Sequence, residues 1–271
     1  MSIITLTTDL GTTDFYLAAV KGSILSAMPD ATIVDISHHI PPYQIIQAAF
    51  LLSNAYYHFP LETVHLVSID NSYQSDAKFV ALKAKGHYFI GPDNGLLAPA
   101  AGMVGGVERA VVLNNVALHL PAPGSTFAGR DIFAPVAAHL CSGVPFDELG
   151  DAIDADLLMP GLVTLPQIGD TEIISEVTWV DHFGNCQLNV GLEDVANLLS
   201  GGSLLLSLVV DGVARSATIT TAFGLIPSGG IGLVIDSYGM LAIAKDQDSA
   251  ARDVGVGVGD QVVLRAGEAS Q

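Results

Sequence analysis

The chain has 271 residues, half of them apolar and 14% charged, with 28 acidic residues against 10 lysines and arginines and a formal charge of −18. That length has room for two domains, since single cores stop growing near ~250–300 residues, and that apolar content excludes a disordered chain. So few basic residues argue against a nucleic-acid partner, and no apolar run reaches the ~20 residues of a membrane-spanning helix.

In chain order, residues 3–8 read as a strand and 15–27 as a helix after a Thr/Asp-rich turn. A strand at 32–36, a helix at 43–58 and a strand at 63–69 follow. Strands at 79–84 and 87–91 flank Lys85-Gly86, and 110–113 is a further strand. A helix at 131–142 ends at Gly143. Strands alternating with helical periods of this length predict an α/β domain with a mainly parallel sheet covered on both faces. The pattern changes after about Pro166. Short strands at 172–180, 186–189, 204–210, 214–220, 232–236, 241–244 and 261–265, interrupted by one helix at 192–200, predict an all-β, barrel-like domain. The expected division is residues 1–160 and 168–271, with the boundary in the Pro- and Gly-interrupted stretch 157–169. The start Met1-Ser2-Ile3 has no basic, leader-like region, and Cys141 and Cys186 read as free thiols. The expected location is cytoplasmic.

Thr7-Thr8-Asp9-Leu10-Gly11-Thr12-Thr13-Asp14 follows the first strand. It sets the Asp9 carboxylate at the C-terminal edge of a parallel sheet, where such sheets bind ligands. A carboxylate there can accept two hydrogen bonds from a vicinal diol such as a ribose. The competing role, capping the next helix, suits Asp14 better. His38 and His39 are adjacent on an extended segment, so they project to opposite faces, and no third ligand stands at metal-site spacing. In Asp181-His182-Phe183-Gly184-Asn185, Phe183 offers a face for adenine and Asn185 a donor and an acceptor. Asp181 could accept a charge-assisted hydrogen bond from an ammonium group. Read from its residues alone, the same run also suits a structural hairpin. Gly255-Val256-Gly257-Val258-Gly259 precedes a strand, and so lacks the helix N-terminus of a phosphate loop. No Gly-x-Gly follows the first strand, and no Ser or Cys nucleophile signature is present.

Together with Pro92-Asp93-Asn94-Gly95-Leu96-Leu97, these runs resemble the S-adenosylmethionine hydroxide adenosyltransferases, relatives of fluorinase and chlorinase, over nearly the whole length. The resemblance implies that Asp9 binds the ribose hydroxyls and that Asp181, Phe183 and Asn185 hold the nucleoside and methionine. It places Tyr16 near the methionine amine and Ser237 at the methionine carboxylate, although Tyr238 replaces an arginine of the halogenating relatives. Tyr43 stands where fluorinase has a tryptophan packed on the ribose–methionine region. The implied reaction is attack of water or hydroxide on C5′ of S-adenosylmethionine, giving adenosine and L-methionine without metal or cofactor. The implied assembly is a homotrimer, with the ligand between one subunit's N-terminal domain and the next subunit's C-terminal domain.

The resemblance breaks at the catalytic set. Hydrolytic members use an Asp–Arg–His set to place the nucleophile. In the corresponding runs, Asp70-Asn71-Ser72-Tyr73-Gln74-Ser75-Asp76-Ala77-Lys78 and Thr126-Phe127-Ala128-Gly129-Arg130-Asp131, Asp70 is kept while Ala77 and Ala128 replace the arginine and histidine. Lys78 follows one residue later, where a strand turns the side chain to the other face. Halogenation does not follow from the loss, because the halogenating relatives carry tyrosine where this chain has Asp70. Three readings stay open: a slow hydrolase with Asp70 as its catalytic group, a non-catalytic homologue that binds adenosine or S-adenosylmethionine, and a trimer that uses a different nucleophile or a different nucleoside.

Overall fold

The computed structural model describes residues 3–69, 78–199 and 204–267. Its contacts divide the chain into two compact units, Met1–Val163 and Thr164–Gln271.

The first unit is built on a seven-stranded sheet in the order β2-β1-β3-β5-β4-β6-β7. Its strands are β1 (Ile3–Thr8), β2 (Thr32–Ser37), β3 (Val64–Ser68), β4 (Phe79–Ala84), β5 (His87–Pro92), β6 (Arg109–Val112) and β7 (Asp151–Ala152). β1 pairs in parallel with β2 and β3, and β3 with β5, while β4 and β7 run against their neighbours. The sheet is therefore mostly parallel, as expected. Helices α1 (Tyr16–Ala27) and α4 (Ala134–Cys141) cover one face, burying Leu17, Val20, Ile24 and Val136 against Ile4, Leu6, Leu66 and Ile90. Helices α2 (Ile45–Ala55) and α3 (Ala98–Met103) cover the other, where Ala48, Leu52 and Ala100 meet Val67, Val80, Leu82 and Phe89. Alternate residues of each strand thus serve opposite cores. The Lys85-Gly86 turn joins β4 to β5 with φ of 44° and 81°, the geometry of a tight hairpin.

Three helices depart from expectation. The helix expected at 43–58 begins at Ile45, because Tyr43 takes φ +67° and cannot be helical; its last turn, Tyr56–His58, tightens to 3-10 geometry. The helix expected at 131–142 opens as a π-helical turn, Gly129–Phe133. Pro135 has no N–H to offer the Asp131 carbonyl, which instead accepts from Leu120 N at 2.8 Å. Helix α3 was not foreseen; its signal is Pro99 in the first turn, before Ala100 and Ala101.

The second unit is a closed barrel of seven strands. They are β9 (Glu172–Val180), β10 (Cys186–Gly191), β11 (Leu205–Val210), β12 (Val213–Thr220), β13 (Ile231–Ile235), β14 (Met240–Ala244) and β15 (Gln261–Ala266). The short β8 (Gln167–Ile168) lies on the outside of β9, and the β9–β10 pairing closes the ring. Only β12 and β13 pair in parallel, so residues 221–230 must cross over between them. Leu188, Val190, Leu206, Leu208, Leu233, Ile243 and Leu264 fill the interior by strict alternation. The described part of the helix expected at 192–200, residues 192–199, forms no α-helix. Asp194 Oδ2 accepts from Gly191 N at 2.8 Å, and only the 3-10 turn Ala196–Leu198 follows, burying Val195 and Leu198 three residues apart. A short α5 (Ala250–Val254) buries Ala250 and Val254 in the same core. Cys141 and Cys186 are free thiols, and burial pushes both up to about 11. No helix among the described residues is long and apolar enough to cross a membrane.

His65 of β3 is sealed in the first unit. Its Nδ1 lies 2.8 Å from Thr5 Oγ1, its Nε2 3.3 Å from His87 Nδ1, and its ring stacks on Phe89. Burial, with His87 adding to it, lowers its pKa from 6.5 to about 3. The unfolded chain takes up this proton near pH 6.5 and the folded chain resists it. Stability is therefore full above that pH and falls as pH drops towards the folded value, by up to ~1.4 kcal/mol per pH unit. Urea midpoints measured from pH 7 to pH 5 should fall accordingly, and His65→Gln should flatten the slope.

Candidate functional site

In the first unit the candidate residues gather at the C-terminal edge of β1. Gly11 leaves the strand at φ +66°, and its N–H bonds the His38 carbonyl at 2.8 Å. The turn sends Asp9 towards the loop after β2, where Asp9 Oδ2 accepts from Tyr43 N at 3.3 Å. The structure thus brings two sequence candidates together: Asp9 anchors the backbone of Tyr43, whose ring is 72% exposed. A left-handed φ is unusual for a tyrosine; it falls at the third position of the Pro41–Gln44 turn, closed by Gln44 N donating to the Pro41 carbonyl at 3.2 Å, and the Asp9 bond adds to that turn. Asp14 does not cap α1 in the usual way, but its Oδ1 accepts from Tyr16 N at 3.2 Å. The Tyr16 ring, 42% exposed, stands perpendicular to Phe127 at 5.4 Å and beside Phe15 at 4.6 Å. Sequence reasoning passed over both phenylalanines, because aromatics at a helix start and in a loop carry no signal until the fold gathers them.

A polar chain supports this edge from below. Thr8 Oγ1 lies 2.8 Å from His38 Nδ1 and accepts from Leu10 N at 3.3 Å. His38 Nε2 is 3.1 Å from Asp35 Oδ1, too poorly aligned for a good hydrogen bond, so the contact is mainly electrostatic. Lys21 Nζ bonds Asp35 Oδ2 at 2.6 Å. Burial pushes the His38 imidazole down, against the pull of Asp35. Burial opposes the Asp35 charge, yet Lys21 and His38 hold its carboxyl below the usual range. His39 is exposed and faces Thr12 at 3.2 Å, so the two histidines serve different sides. Among the described residues no group of His, Cys, Asp and Glu could hold a metal.

Asp93 and Asn94 act within the fold. Asp93 Oδ1 accepts from Met159 N at 2.8 Å, and Asn94 Nδ2 donates to the Ile69 carbonyl at 3.2 Å. Asp70 and Ala77 lie outside the described residues. Ala128 is 2% exposed and lines a recess of about 510 Å³ with His119, Ser125, Asp131 and Ile132. Arg130 is turned away from chemistry by two bonds to Asp131, at 2.5 and 2.9 Å.

In the barrel, Asp181–Asn185 forms the turn between β9 and β10. Asp181 Oδ1 accepts from Phe183 N at 2.9 Å and Asn185 N at 2.8 Å, and Oδ2 from Asn185 Nδ2 at 2.8 Å. The acid that the sequence offers to an ammonium group is thus already bonded within its own turn, which leaves Phe183 76% exposed. Asp181, Phe183 and Asn185 line a recess of about 690 Å³ with Phe223, Lys245 and Arg252, within the size range of small-molecule sites. The last three were not foreseen. They come from the β12–β13 crossover, the loop after β14 and α5, and only barrel closure unites them. Lys245 is 11% exposed, and its Nζ lies 3.3 Å from Asp253 and 3.6 Å from Asp248. Ser237 sits exposed in the β13–β14 turn, where Asp236 Oδ1 accepts from Tyr238 N and Met240 N, and it is not among the residues lining the recess. Gly255, at φ +79°, ends α5, and the run after it turns into β15; no helix follows it.

Comparison with known proteins agrees with this layout. The family model for the SAM hydroxide adenosyltransferase N-terminal domain matches residues 4–150, and that for the C-terminal domain matches 175–263. An (R)-S-adenosyl-L-methionine hydrolase of Salinispora arenicola is 35% identical over 266 residues, 97% of this chain and 98% of the relative. A fluorinase of Actinoplanes sp. is 31% identical, covering 90% and 91%. A solved structure of an uncharacterized conserved protein from Thermotoga maritima superposes with a TM-score of 0.88 at 32% identity, covering 97% of this chain and 99% of that one.

Gly184 holds the barrel recess in shape. It adopts φ +87°, its carbonyl accepts from Ala251 N at 2.9 Å, and a methyl group on it would collide with Ser249 Oγ. Gly184→Ala should cost at least ~1–3 kcal/mol and lower any ligand affinity of the recess. Urea denaturation read at Trp179, together with adenosine calorimetry, checks both.

Proposed function

The chain belongs to the SAM hydroxide adenosyltransferase family, and from that premise we propose that it hydrolyses S-adenosylmethionine to adenosine and L-methionine. The observation that carries this reading is its full-length likeness to proteins named (R)-S-adenosyl-L-methionine hydrolase. The sulfonium is a good leaving group, so the protein has chiefly to hold C5′ in line with a desolvated water. In this proposal Asp9 takes the ribose hydroxyls and Tyr43 packs on the ribose–methionine region. Phe183 and Asn185 receive the adenine. Asp181, Tyr16 and Ser237 contact the methionine, Asp181 through the one Oδ2 lone pair its own turn does not use. Asp70 orients the attacking water, a contribution of ~10²–10⁴-fold for a placed general base. The water oxygen bonds to C5′, the C5′–S bond breaks with its electron pair going to sulfur, and one proton is released. No metal or cofactor enters the scheme.

The candidate residues fall in two separate units, Asp9, Tyr16 and Tyr43 in the first and Asp181, Phe183, Asn185 and Ser237 in the second. We extend the proposal to the homotrimer that the family resemblance implies, with neighbouring subunits sharing sites, and to a cytoplasmic location. Sedimentation velocity giving a monomer would count against the assembly.

A second reading, a non-catalytic binder of adenosine or S-adenosylmethionine, is favoured by Ala128, which puts a methyl group where hydrolytic members have an imidazole. Incubation with S-adenosylmethionine separates the two: adenosine and methionine above a buffer control support the hydrolase, and tight binding with intact ligand supports the binder. Asp9→Ala should weaken adenosine by the loss of charge-assisted hydrogen bonds worth ~1.5–3 kcal/mol each; unchanged calorimetric affinity refutes the ribose assignment.

The recess beside Ala128 leaves room for a larger side chain. Ala77→Arg combined with Ala128→His should therefore raise hydrolysis by tenfold or more (~1.4 kcal/mol of barrier), and more than the single changes combined. Asp70→Ala in that background should abolish the gain. A double variant that binds substrate normally and turns it over no faster would remove Asp70 from the mechanism.

A further inference from the structure

The segment from His38 to Tyr43 grips the Asp9 turn at three points. The His38 side chain meets Thr8 Oγ1 at 2.8 Å, the His38 carbonyl accepts from Gly11 N at 2.8 Å, and Tyr43 N donates to Asp9 Oδ2 at 3.3 Å. Asp9 and Leu10 are thus bracketed between two residues tied to one histidine. Thr8 is fully buried and His38 only 5% exposed, so water cannot replace the bond between them.

The neighbours of the ring determine its tautomer. Asp35 is ionised and bound by Lys21 at 2.6 Å, so it can only accept. The ring nitrogen facing it at 3.1 Å, Nε2, is the one whose proton the carboxylate attracts, through a contact that is electrostatic more than a well-aligned hydrogen bond. Nδ1 is then bare and accepts the Thr8 hydroxyl proton, while the Thr8 oxygen accepts the Leu10 amide at 3.3 Å. Lys21 and His38 both face the Asp35 carboxylate, Thr8 donates to His38 and Leu10 to Thr8, so each donor meets an acceptor. Protonating Nδ1 would reverse one link and leave the Thr8 hydroxyl hydrogen to find another acceptor in a buried site.

We propose that His38 is a positioning residue for nucleoside binding: as the neutral Nε2–H tautomer it locks the Thr8 hydroxyl, and through Thr8 and Gly11 it sets the Asp9 carboxylate for the ribose diol. The role rests on the nucleoside reading of Asp9 given above. His38 touches no substrate. The charged and titratable groups facing it are Asp35, Lys21 and His39, of which Asp35 favours its protonation while burial, Lys21 and His39 oppose it.

The test uses the full chain and adenosine as the probe. Nitrogen-15 NMR at pH 7.5 should show His38 Nδ1 unprotonated and Nε2 protonated. His38→Leu and Thr8→Val should each weaken adenosine about tenfold, the equivalent of one hydrogen bond, and the two losses should not add. His38→Asn, whose Oδ1 can replace Nδ1 as acceptor for Thr8, should retain most of the affinity. Wild-type affinity should be constant above pH 6.5 and fall in acid as His38 takes up its proton, and His38→Asn should lose that acid limb. Should His38→Leu fail to fold, Thr8→Val decides the matter, since it changes a hydroxyl to a methyl at nearly constant volume. A protonated Nδ1, or wild-type affinity in Thr8→Val while Asp9→Ala is weakened, overturns the positioning role. Unchanged affinity in Asp9→Ala overturns the nucleoside reading itself, and the positioning role with it.

Discussion

The hydrogen bond from the Tyr43 amide to the Asp9 carboxylate joins two loops that the sheet delivers independently, one after β1 and one after β2. Parallel pairing of β1 with β2 brings the loops to the same edge, but pairing alone leaves their conformations open. The bond selects one. It acts together with the Pro41–Gln44 turn, in which Gln44 N donates to the Pro41 carbonyl at 3.2 Å: Tyr43 sits at positive φ, α2 starts at Ile45 and the Tyr43 side chain is exposed. A helix started at Tyr43 would have drawn that ring back towards the helix face. The irregularity at the start of α2 therefore belongs to the ligand edge and is no defect of the helix.

The barrel reaches a comparable result by another route. Its β9–β10 turn is self-sufficient, because the Asp181 carboxylate satisfies two backbone amides and the Asn185 side chain. A turn held by its own side chain can present an exposed Phe183 without support from a ligand. The surrounding wall is charged on both sides, with Lys245 and Arg252 among Asp246 and Asp248, yet Lys245 is engaged by Asp248 and Asp253. Phe183 and Phe223 add aromatic surface to this charged wall.

Ala128 is buried yet stands beside open space. In a close-packed interior a small residue is normally matched by inward movement of its neighbours. Here the recess remains, bounded by His119, Ser125 and Asp131. The π-helical turn that carries Gly129 also limits collapse: a side chain at Gly129 would run into Ser68, so the helix start is already pressed against the end of β3.

Much of this was legible in the chain. Alternation of period two and helical stretches between apolar runs marked the sheet, the barrel strands and the Lys85-Gly86 hairpin, because those patterns reflect burial on defined faces. The motifs around Asp9 and Asp181 marked the turns that carry the candidate residues through short-range chemistry, and the family resemblance rested on the same runs. What the sequence could not determine were interactions between distant segments. The late start of α2 depends on a carboxylate 34 residues away, and the π-helical turn before Pro135 on the Leu120 amide that takes the freed carbonyl. The expected helix at 192–200 gave way to a cap from Asp194 and to a barrel that needed only Val195 and Leu198. Phe127, Phe223 and Lys245 had no local signature at all. Local pattern determines which face of an element is buried; which side chains meet at a site depends on contacts between elements, and only the closed tertiary structure supplies those.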